Sequence, residues 1–198
     1  MQPLLDWYDA GHRDLPWRSE PTPYRVWVSE IMLQQTRVEA VRGYFSRWMD
    51  ALPDIPALAA ADEAVYTKLW EGLGYYSRVR NLHRAAVLLC EEYGGELPAD
   101  YDRLLALPGV GEYTAGAVAS IAFGLPVPAV DGNVLRVAAR LDNDFTPITD
   151  AKFKKQTRER FAALMPSDRP GDLNQSLMEL GATVCLPNGA PRCDDCPI

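Results

Sequence analysis

The sequence lacks the long apolar runs, the basic N-terminus and the dense cysteine spacing that characterise membrane and secreted proteins. Its longest apolar run, residues 115–122, is interrupted by Gly116 and Ser120 and is far shorter than the ~18 residues of a membrane span. The N-terminus has neither a basic start nor a long apolar stretch, so we expect no secretion signal and no membrane partner. We expect a cytoplasmic protein.

Positive charge is also scarce, with 20 lysines and arginines against 27 acidic residues and a net charge of −7. This balance argues against non-specific binding to nucleic acid, because neutralising phosphates requires local positive potential. Two segments depart from it: residues 68–84 hold four basic residues against one acidic residue, and residues 150–160 hold five against two. From charge alone, we interpret both segments as solvated helix faces.

Alternation of apolar and polar residues, which is the pattern of a β-strand, is absent as well. Apolar residues recur instead at helical spacing, and prolines and glycines separate the segments at helix-length intervals. The sequence therefore predicts an all-α protein. The predicted helical segments are 26–35, 38–49, 62–70, 78–92, 115–123 and 153–164.

A stretch rich in glycine and proline, residues 124–128, predicts a domain boundary. We expect residues 22–127 to form a helical bundle. Residues 128–198 are too few to be independent, so we expect them to pack with residues 1–21 as a second lobe, with a cleft between the two lobes.

The four cysteines are unevenly spread. Cys90 lies in an apolar helical run, which predicts a buried structural thiol. Cys185, Cys193 and Cys196 are clustered near the C-terminus with spacings of seven and two residues. Because a disulfide framework is unfavourable in a reducing compartment, a metal ion or a cluster is the better interpretation.

The most specific local motif is Leu-Pro-Gly-Val-Gly over residues 107–111, between two predicted helices. The glycines suit a tight turn or close backbone approach, and the first amides of the helix that follows have no intrahelical partners. Such a hairpin can bind one DNA phosphate through main-chain dipoles, with Leu107, Gly109 and Gly111 forming the turn. The alternative is an ordinary turn between two helices; we favour the helix-hairpin-helix interpretation.

This hairpin, together with Val-Asp-Gly-Asn-Val over residues 130–134, resembles the helix-hairpin-helix/Gly-Pro-Asp superfamily of DNA glycosylases. Residues 27–36, residues 72–76 and the terminal cysteines resemble its adenine DNA glycosylase (MutY) branch. The resemblance extends from residue 4 to residue 197. It implies a monomeric base excision repair enzyme acting on double-stranded DNA, with a six-helix barrel lobe and an iron–sulfur lobe.

The resemblance assigns catalysis to Glu30 and Asp131. Cleaving a glycosidic bond to adenine requires a protonated leaving base and a stabilised sugar cation, which two carboxyl groups with separated pKa values can provide. Glu30 has apolar neighbours, and burial would raise its pKa and keep it protonated as the acid. Asp131, in a loop before a helix, would be the ionised partner. The alternatives are a surface glutamate and an N-cap aspartate.

Tyr113 determines the subclass. Relatives that also cut the DNA backbone carry a lysine two residues past the hairpin, whereas this chain has a tyrosine there. Without an amine no Schiff base can form, so a monofunctional hydrolase is expected.

Extruding a base requires side chains that fill the gap left in the duplex. The resemblance assigns this role to Gln35 and Tyr75, with Thr36 beside them; for Tyr76 we favour core packing. It further assigns contacts with the adenine to Trp17, Arg18 and Gln175, and support of Asp131 or of a water molecule to Asn133.

The cysteine spacing departs from the family's four-cysteine pattern for a [4Fe–4S] cluster. The first gap is one residue longer, and the fourth cysteine would follow Ile198. We expect either a truncated sequence or a cluster held by Cys185, Cys193 and Cys196, with zinc as a lesser alternative.

The sequence therefore predicts a glycosylase that removes adenine opposite 8-oxoguanine or guanine. Two alternatives stay open: a glycosylase for mispaired thymine or uracil, and a non-catalytic DNA-binding module. We expect this chain to lack the C-terminal domain with which the family reads 8-oxoguanine, so the sequence does not discriminate between the two opposing bases.

Overall fold

The computed structural model describes residues Met1–Ile198 and contains eleven α-helices, one 3₁₀ turn at Cys193–Asp195 and no β-strand. The all-α prediction is confirmed, and each predicted helical segment corresponds to an observed helix. The chain divides into two units, which we call the central unit, Asp14–Val118, and the terminal unit, Met1–Arg13 with Ala119–Ile198. The domain boundaries expected at residues 22 and 128 stay predictions.

Six helices lie within the central unit, and a seventh begins in it. The side chains of Thr22, Asp54 and Asp100 each accept a hydrogen bond from the backbone amide three residues later, which starts three of these helices. The helices are α2 (Pro23–Leu33), α3 (Val38–Ala51), α4 (Ile55–Ala59), α5 (Glu63–Leu69), α6 (Ser77–Tyr93), α7 (Tyr101–Leu105) and α8 (Glu112–Phe123), which ends in the terminal unit.

Helix α2 is buried along most of its length, where it packs against α3 and α6. The indole N–H of Trp48 donates to the Tyr24 hydroxyl at 3.0 Å, and that hydroxyl donates to the Leu52 carbonyl oxygen at 2.8 Å. These bonds satisfy the Trp48 indole N–H and the Tyr24 hydroxyl, which burial removes from water. A helix held in this way carries most of its side chains into the interior, including the polar Ser29 and Glu30.

The terminal unit is built from four further helices around one apolar core. Helix α11 packs against α1 and α9, and α10 packs against α9. The helices are α1 (Gln2–Gly11), α9 (Gly132–Leu141), α10 (Ala151–Leu164) and α11 (Pro170–Thr183). Leu4, Val134, Leu173 and Leu177 are among the core residues. None of the chain's helices has the length and apolar character that a bilayer crossing requires.

Two predictions about burial are wrong, in both cases because a turn intervenes. Tyr76 is 37% exposed rather than packed in the core, since it caps α6 directly after a turn in which Gly74 and Tyr75 both have positive φ. Cys90 is only partly buried. It lies in the last turn of α6, beside the turn at Gly95 where the helix has ended.

A close approach inside the terminal unit makes Gly171 a sensitive position. A Cβ atom there would lie 2.8 Å from both Ile121 Cα and the Ser120 carbonyl oxygen, which are backbone atoms that cannot rotate away. We therefore expect Gly171→Ala to lower the free energy of unfolding by about 1–3 kcal/mol, although alanine favours helix. Urea unfolding measures this. Gly11→Ala, which meets no atom within 4 Å, is the control; equal stability of the two variants would contradict the prediction.

Candidate active site

Glu30 lies on the buried helix α2 with 6% of its surface exposed. The Tyr113 hydroxyl, from the first turn of α8, donates to Glu30 Oε2 at 2.6 Å. Close by in the sequence, the Gln34 amide donates to the Thr114 hydroxyl at 3.3 Å, so α2 and the start of α8 are joined at two points. A carboxyl group shielded from water and in contact with a phenol is typical of acid–base catalysis.

The hairpin that precedes α8 runs from Ala106 to Gly111. Leu107 and Val110 are buried and anchor it. Gly109 is required for two reasons, since its φ is +76° and a Cβ atom there would lie 2.7 Å from Asn81 Cβ. The structure thus has the predicted helix–hairpin–helix geometry, with a helix N-terminus suited to an anion immediately after the turn.

Gly111 differs from the expectation that both glycines serve the turn itself. Its φ is not positive, and a Cβ atom there would meet nothing within 4 Å. The turn conformation therefore does not require glycine at this position. What glycine provides here is open space on the exposed surface of the hairpin, at the start of α8.

Gln35 and Tyr75 share an unusual backbone conformation. Their φ angles are +58° and +46°, in the left-handed region that residues other than glycine rarely adopt. Gln35 is exposed and Tyr75 is 65% exposed, while Thr36 is half-buried and donates from its hydroxyl to the Gln34 carbonyl oxygen. Strained backbone together with an exposed side chain is found where a protein contacts a ligand.

Arg78 is a residue whose role sequence reasoning missed. We expected the basic segment 68–84 to be a solvated face, yet the Arg78 guanidinium is half-buried and donates to backbone carbonyl oxygens at the end of α2 and in the turn before α6. Burial lowers the pKa of Arg78, which the nearby Tyr75 partly opposes. A cavity of about 200 Å³ lies beside it. The residues lining this cavity are Ile31, Gln34, Ser77, Arg78, Asn81, Leu82, Pro108 and Gly109.

Three residues assigned to the adenine contact have different surroundings. Trp17 is buried, and its ring packs edge-on against Phe45 with 5.5 Å between centroids. Arg18 is half-buried in the central unit, and Gln175 is half-buried on α11 in the terminal unit. Contact of Trp17, Arg18 and Gln175 with a base stays a prediction.

Asp131 is the N-cap of α9 and is held through both carboxylate oxygens. Oδ1 accepts from the Val134 amide at 2.8 Å, and Oδ2 accepts from the Asn133 side-chain amide at 2.7 Å. The Asp131 side chain is half-buried, and burial raises the pKa of its carboxyl group. The hydrogen bonds and the positive charge of Arg136 act in the opposite direction.

Arg136, which sequence reasoning also missed, joins the Asp131 site to residues 185–196, the loop that carries the three C-terminal cysteines and that we call the cysteine loop. Its guanidinium donates to Asn133 Oδ1 at 2.8 Å, to the Gly181 carbonyl oxygen at 2.7 Å and to the Cys185 carbonyl oxygen at 2.9 Å. The one available signal was that Arg136 lies a helical turn after Asn133. The loop that carries Asp131 and the cysteine loop therefore hold each other in place.

Asn174 was missed as well. It is 1% exposed on α11, and its side-chain oxygen accepts from the Ala129 amide at 2.9 Å. Its amide nitrogen donates to the Ser120 hydroxyl at 2.7 Å and to the Val127 carbonyl oxygen at 2.9 Å. These bonds fix the segment that leads into Asp131.

The three C-terminal cysteines do not form a preassembled metal site. Cys185 and Cys196 are half-buried against the terminal core, while Cys193 is exposed. The Cys185 sulfur lies 3.3 Å from the Arg140 guanidinium, and the Cys196 thiol 3.3 Å from the Ile198 carbonyl oxygen. No group of three or more cysteine, histidine, aspartate or glutamate side chains is arranged to bind a metal ion. A [4Fe–4S] cluster on these thiolates stays a prediction.

Comparison with known proteins identifies the family. Residues 28–165 match the HhH-GPD superfamily of base excision DNA repair proteins. The chain belongs to this superfamily. Among curated superfamily relatives, the adenine DNA glycosylase of Mus musculus is 47% identical over 204 residues, covering 98% of this chain and 39% of the relative. That of Mycolicibacterium smegmatis is 44% identical over 197 residues, covering 98% of this chain and 66% of the relative. The chain thus spans well under half the length of its mammalian relatives.

Solved structures of HhH-GPD glycosylases have the same fold. A thermostable thymine-DNA glycosylase superposes with a TM-score of 0.87 at 27% identity, covering 98% of this chain and 89% of that one. A trapped covalent intermediate of endonuclease III with DNA superposes with a TM-score of 0.82 at 25% identity, covering 99% and 89%.

Loss of the Asn133 side chain should raise the pKa of Asp131 further. The Asn133 amide stabilises the ionised carboxylate, so Asn133→Ala removes an interaction that lowers this pKa and leaves the burial that raises it. Carbon-13 NMR titration of the carboxyl group measures the change. Asn188→Ala, at an exposed position of the same unit, is the control. An unchanged pKa in Asn133→Ala would contradict the prediction.

Gly111→Ala should weaken DNA binding without affecting folding. Because nothing in the protein lies within 4 Å of the new methyl group, only a phosphate approaching the hairpin can be obstructed. We expect about a tenfold loss of affinity, as for one lost charge-assisted hydrogen bond, and a smaller loss for Lys152→Ala. Fluorescence anisotropy with a DNA duplex measures affinity, and urea unfolding checks stability. Equal affinity losses in the two variants would contradict a main-chain phosphate clamp.

Proposed function

We propose that this chain is the catalytic part of a monofunctional adenine DNA glycosylase. It hydrolyses the N-glycosidic bond of adenine mispaired with 8-oxoguanine or guanine, in double-stranded DNA. The observation that carries the proposal is the buried Glu30 carboxyl group in contact with the Tyr113 hydroxyl, in a chain 47% identical to a curated adenine DNA glycosylase. The whole chain acts as a cytoplasmic monomer in this proposal.

Glu30 serves as the general acid in this mechanism. It gives a proton to N7 of adenine, which turns the base into a neutral leaving group. The Tyr113 hydroxyl donates to Oε2 at 2.6 Å, which favours Oε1 as the oxygen that carries the proton. The burial of Glu30 excludes water that would otherwise compete for this proton.

Asp131 serves as the anion. When the bond to adenine breaks, positive charge develops on the sugar, and a carboxylate stabilises it electrostatically or by a transient covalent bond before water adds. The Val134 amide and the Asn133 side chain hold both carboxylate oxygens, which favours the ionised form and fixes its orientation. The cysteine loop supports this arrangement through Arg136; no step of the reaction passes through a cluster.

Tyr113 limits the reaction to hydrolysis. A phenol cannot form the Schiff base through which a lysine amine would go on to cut the DNA backbone. In this chain the tyrosine hydroxyl instead contacts the acid. The product is therefore an abasic site in an intact strand.

DNA binding by this acidic chain relies on main-chain dipoles rather than on lysines. The hairpin and the N-terminus of α8 supply amide groups for one phosphate. Gln35 and Tyr75, both exposed, enter the base stack when adenine is extruded, with Thr36 beside them.

A second candidate is a glycosylase for mispaired thymine or uracil. It is favoured by the likeness to the thymine-DNA glycosylase, with a TM-score of 0.87. The higher identity to the adenine branch weighs against it, at 47% to a curated adenine DNA glycosylase compared with 27% to the thymine-DNA glycosylase. A non-catalytic DNA-binding module would not require a buried acid.

Glu30→Gln tests the assignment, since glutamine keeps the shape of the side chain but cannot supply the proton. We expect abasic-site formation at A:8-oxoguanine and A:G to fall by about 10³-fold, the scale of general acid catalysis, with duplex binding retained. Glu91→Gln, at an exposed position on α6, is the control. Parallel duplexes with T:G and U:G test the second candidate. Full activity of Glu30→Gln would refute the mechanism. Abasic-site formation only in the T:G or U:G duplex would show that the substrate base is thymine or uracil rather than adenine.

A further inference from the structure

The Arg78 guanidinium connects the end of α2 to the turn that precedes α6. One terminal nitrogen donates to the carbonyl oxygens of Ile31, Met32 and Gln34 at 2.9, 3.0 and 2.5 Å. These are the last carbonyl groups of α2 and the turn after it, which have no partner within a helix. Arg78 therefore supplies the C-terminal cap that the sequence of α2 lacks.

The second terminal nitrogen of Arg78 holds the other turn. It donates to the carbonyl oxygens of Leu73 and Gly74 at 2.9 and 3.2 Å. The Trp70 indole also donates to the Gly74 carbonyl oxygen, at 3.0 Å. The guanidinium carbon lies 5.2 Å from the Trp70 ring centroid and 5.7 Å from that of Tyr75, which are cation–π distances.

Each of the two turns contains a non-glycine residue with left-handed backbone, Gln35 at φ +58° and Tyr75 at φ +46°. Such a conformation is unfavourable by itself and persists only where the surroundings enforce it. Arg78 bonds to the carbonyl groups directly before both residues, those of Gln34 and Gly74. Its contacts thus lie at the peptide groups that directly precede the two strained residues.

We propose that Arg78 is a positioning residue for base extrusion, holding the Gln35 and Tyr75 turns at one fixed spacing so that both side chains enter the duplex together. The proposal rests on the proposed function, in which these two side chains fill the gap left by adenine. Arginine suits the task because its donors lie in one rigid plane and point in several directions, whereas a lysine ammonium is a single centre.

A direct contact between Arg78 and a DNA phosphate is the alternative for a basic residue at this place. The guanidinium is half-buried, and both of its terminal nitrogens are engaged by protein carbonyl groups. Arg80, on the same helix, is the opposite case, since it is 58% exposed and pairs on the surface with Glu63. Arg80 is therefore the matched control for charge.

Single-turnover rates of Arg78→Lys and Arg80→Lys on two duplexes test the proposal. In the first duplex adenine lies opposite guanine; in the second it lies opposite an abasic analogue, so there is no opposing base to separate. We expect Arg78→Lys to lose about 100-fold on the first, since each hydrogen bond from a charged donor contributes about tenfold, and less than about threefold on the second. Arg80→Lys should match the parent chain on both duplexes.

Equal losses of Arg78→Lys on both duplexes would overturn the proposal, because a general structural defect or a displaced Glu30 affects both duplexes alike. Arg78→Gln replaces Arg78→Lys if the latter does not fold.

Fluorescence of 2-aminopurine placed at the target position separates this inference from the proposed function, because it reports extrusion without bond cleavage. An increase with the parent chain that is absent in Arg78→Lys supports the positioning role, even if no abasic site forms and the proposed function fails. An equal increase with the parent chain and with Arg78→Lys overturns the positioning role. No increase with the parent chain overturns both the positioning role and the proposed glycosylase function. The salt dependence of duplex binding should be the same in the parent chain and in Arg78→Gln, which removes the charge. A slope shallower by about one in Arg78→Gln would instead indicate a phosphate contact and overturn the positioning role.

Discussion

The burial of α2 is the constraint on which the central unit depends. A helix that is apolar on most of its circumference can only lie in the interior, and Trp27, Val28 and Met32 place it there. Glu30 is carried inside with them, so its isolation from water follows from the packing of its neighbours. The end of the same helix presents carbonyl groups that must find partners, and Arg78 provides them. One buried helix therefore fixes both the Glu30 carboxyl group and the first of the two strained turns.

The two candidate catalytic carboxyl groups are held by different physical means. Glu30 is buried and accepts from a phenol, whereas Asp131 caps a helix and accepts from an amide on each oxygen. Environments that differ in this way favour different protonation states, which is how a pair of carboxyl groups divides into acid and anion. Two opposing effects act on Asp131, because burial raises the pKa of its carboxyl group while its hydrogen bonds lower it. Its ionisation therefore depends on Asn133 and on Arg136 behind it.

The acidic composition and the proposed DNA substrate are compatible because few contacts need side-chain charge. A hairpin and a helix start provide dipoles at one point, and strained turns present neutral side chains at others. Arg78, which composition would count as a DNA-binding cation, is engaged by the protein itself. The cysteine loop is tied to the Asp131 site because the Arg136 guanidinium donates to the Cys185 carbonyl oxygen.

The sequence by itself determined the helical fold and the hairpin, and it singled out Glu30 and Asp131 as candidate residues, because periodicity, turn residues and motif spacing are local patterns. Burial of Glu30 followed from its apolar neighbours in the same way. Only the tertiary structure decided the roles of Arg78, Arg136 and Asn174, and the exposure of Tyr76. Arg78 contacts carbonyl groups 44 to 47 positions earlier in the chain, and Arg136 contacts one 49 positions later. Backbone carbonyl groups carry no residue identity, so no pattern of side chains could have indicated these partners.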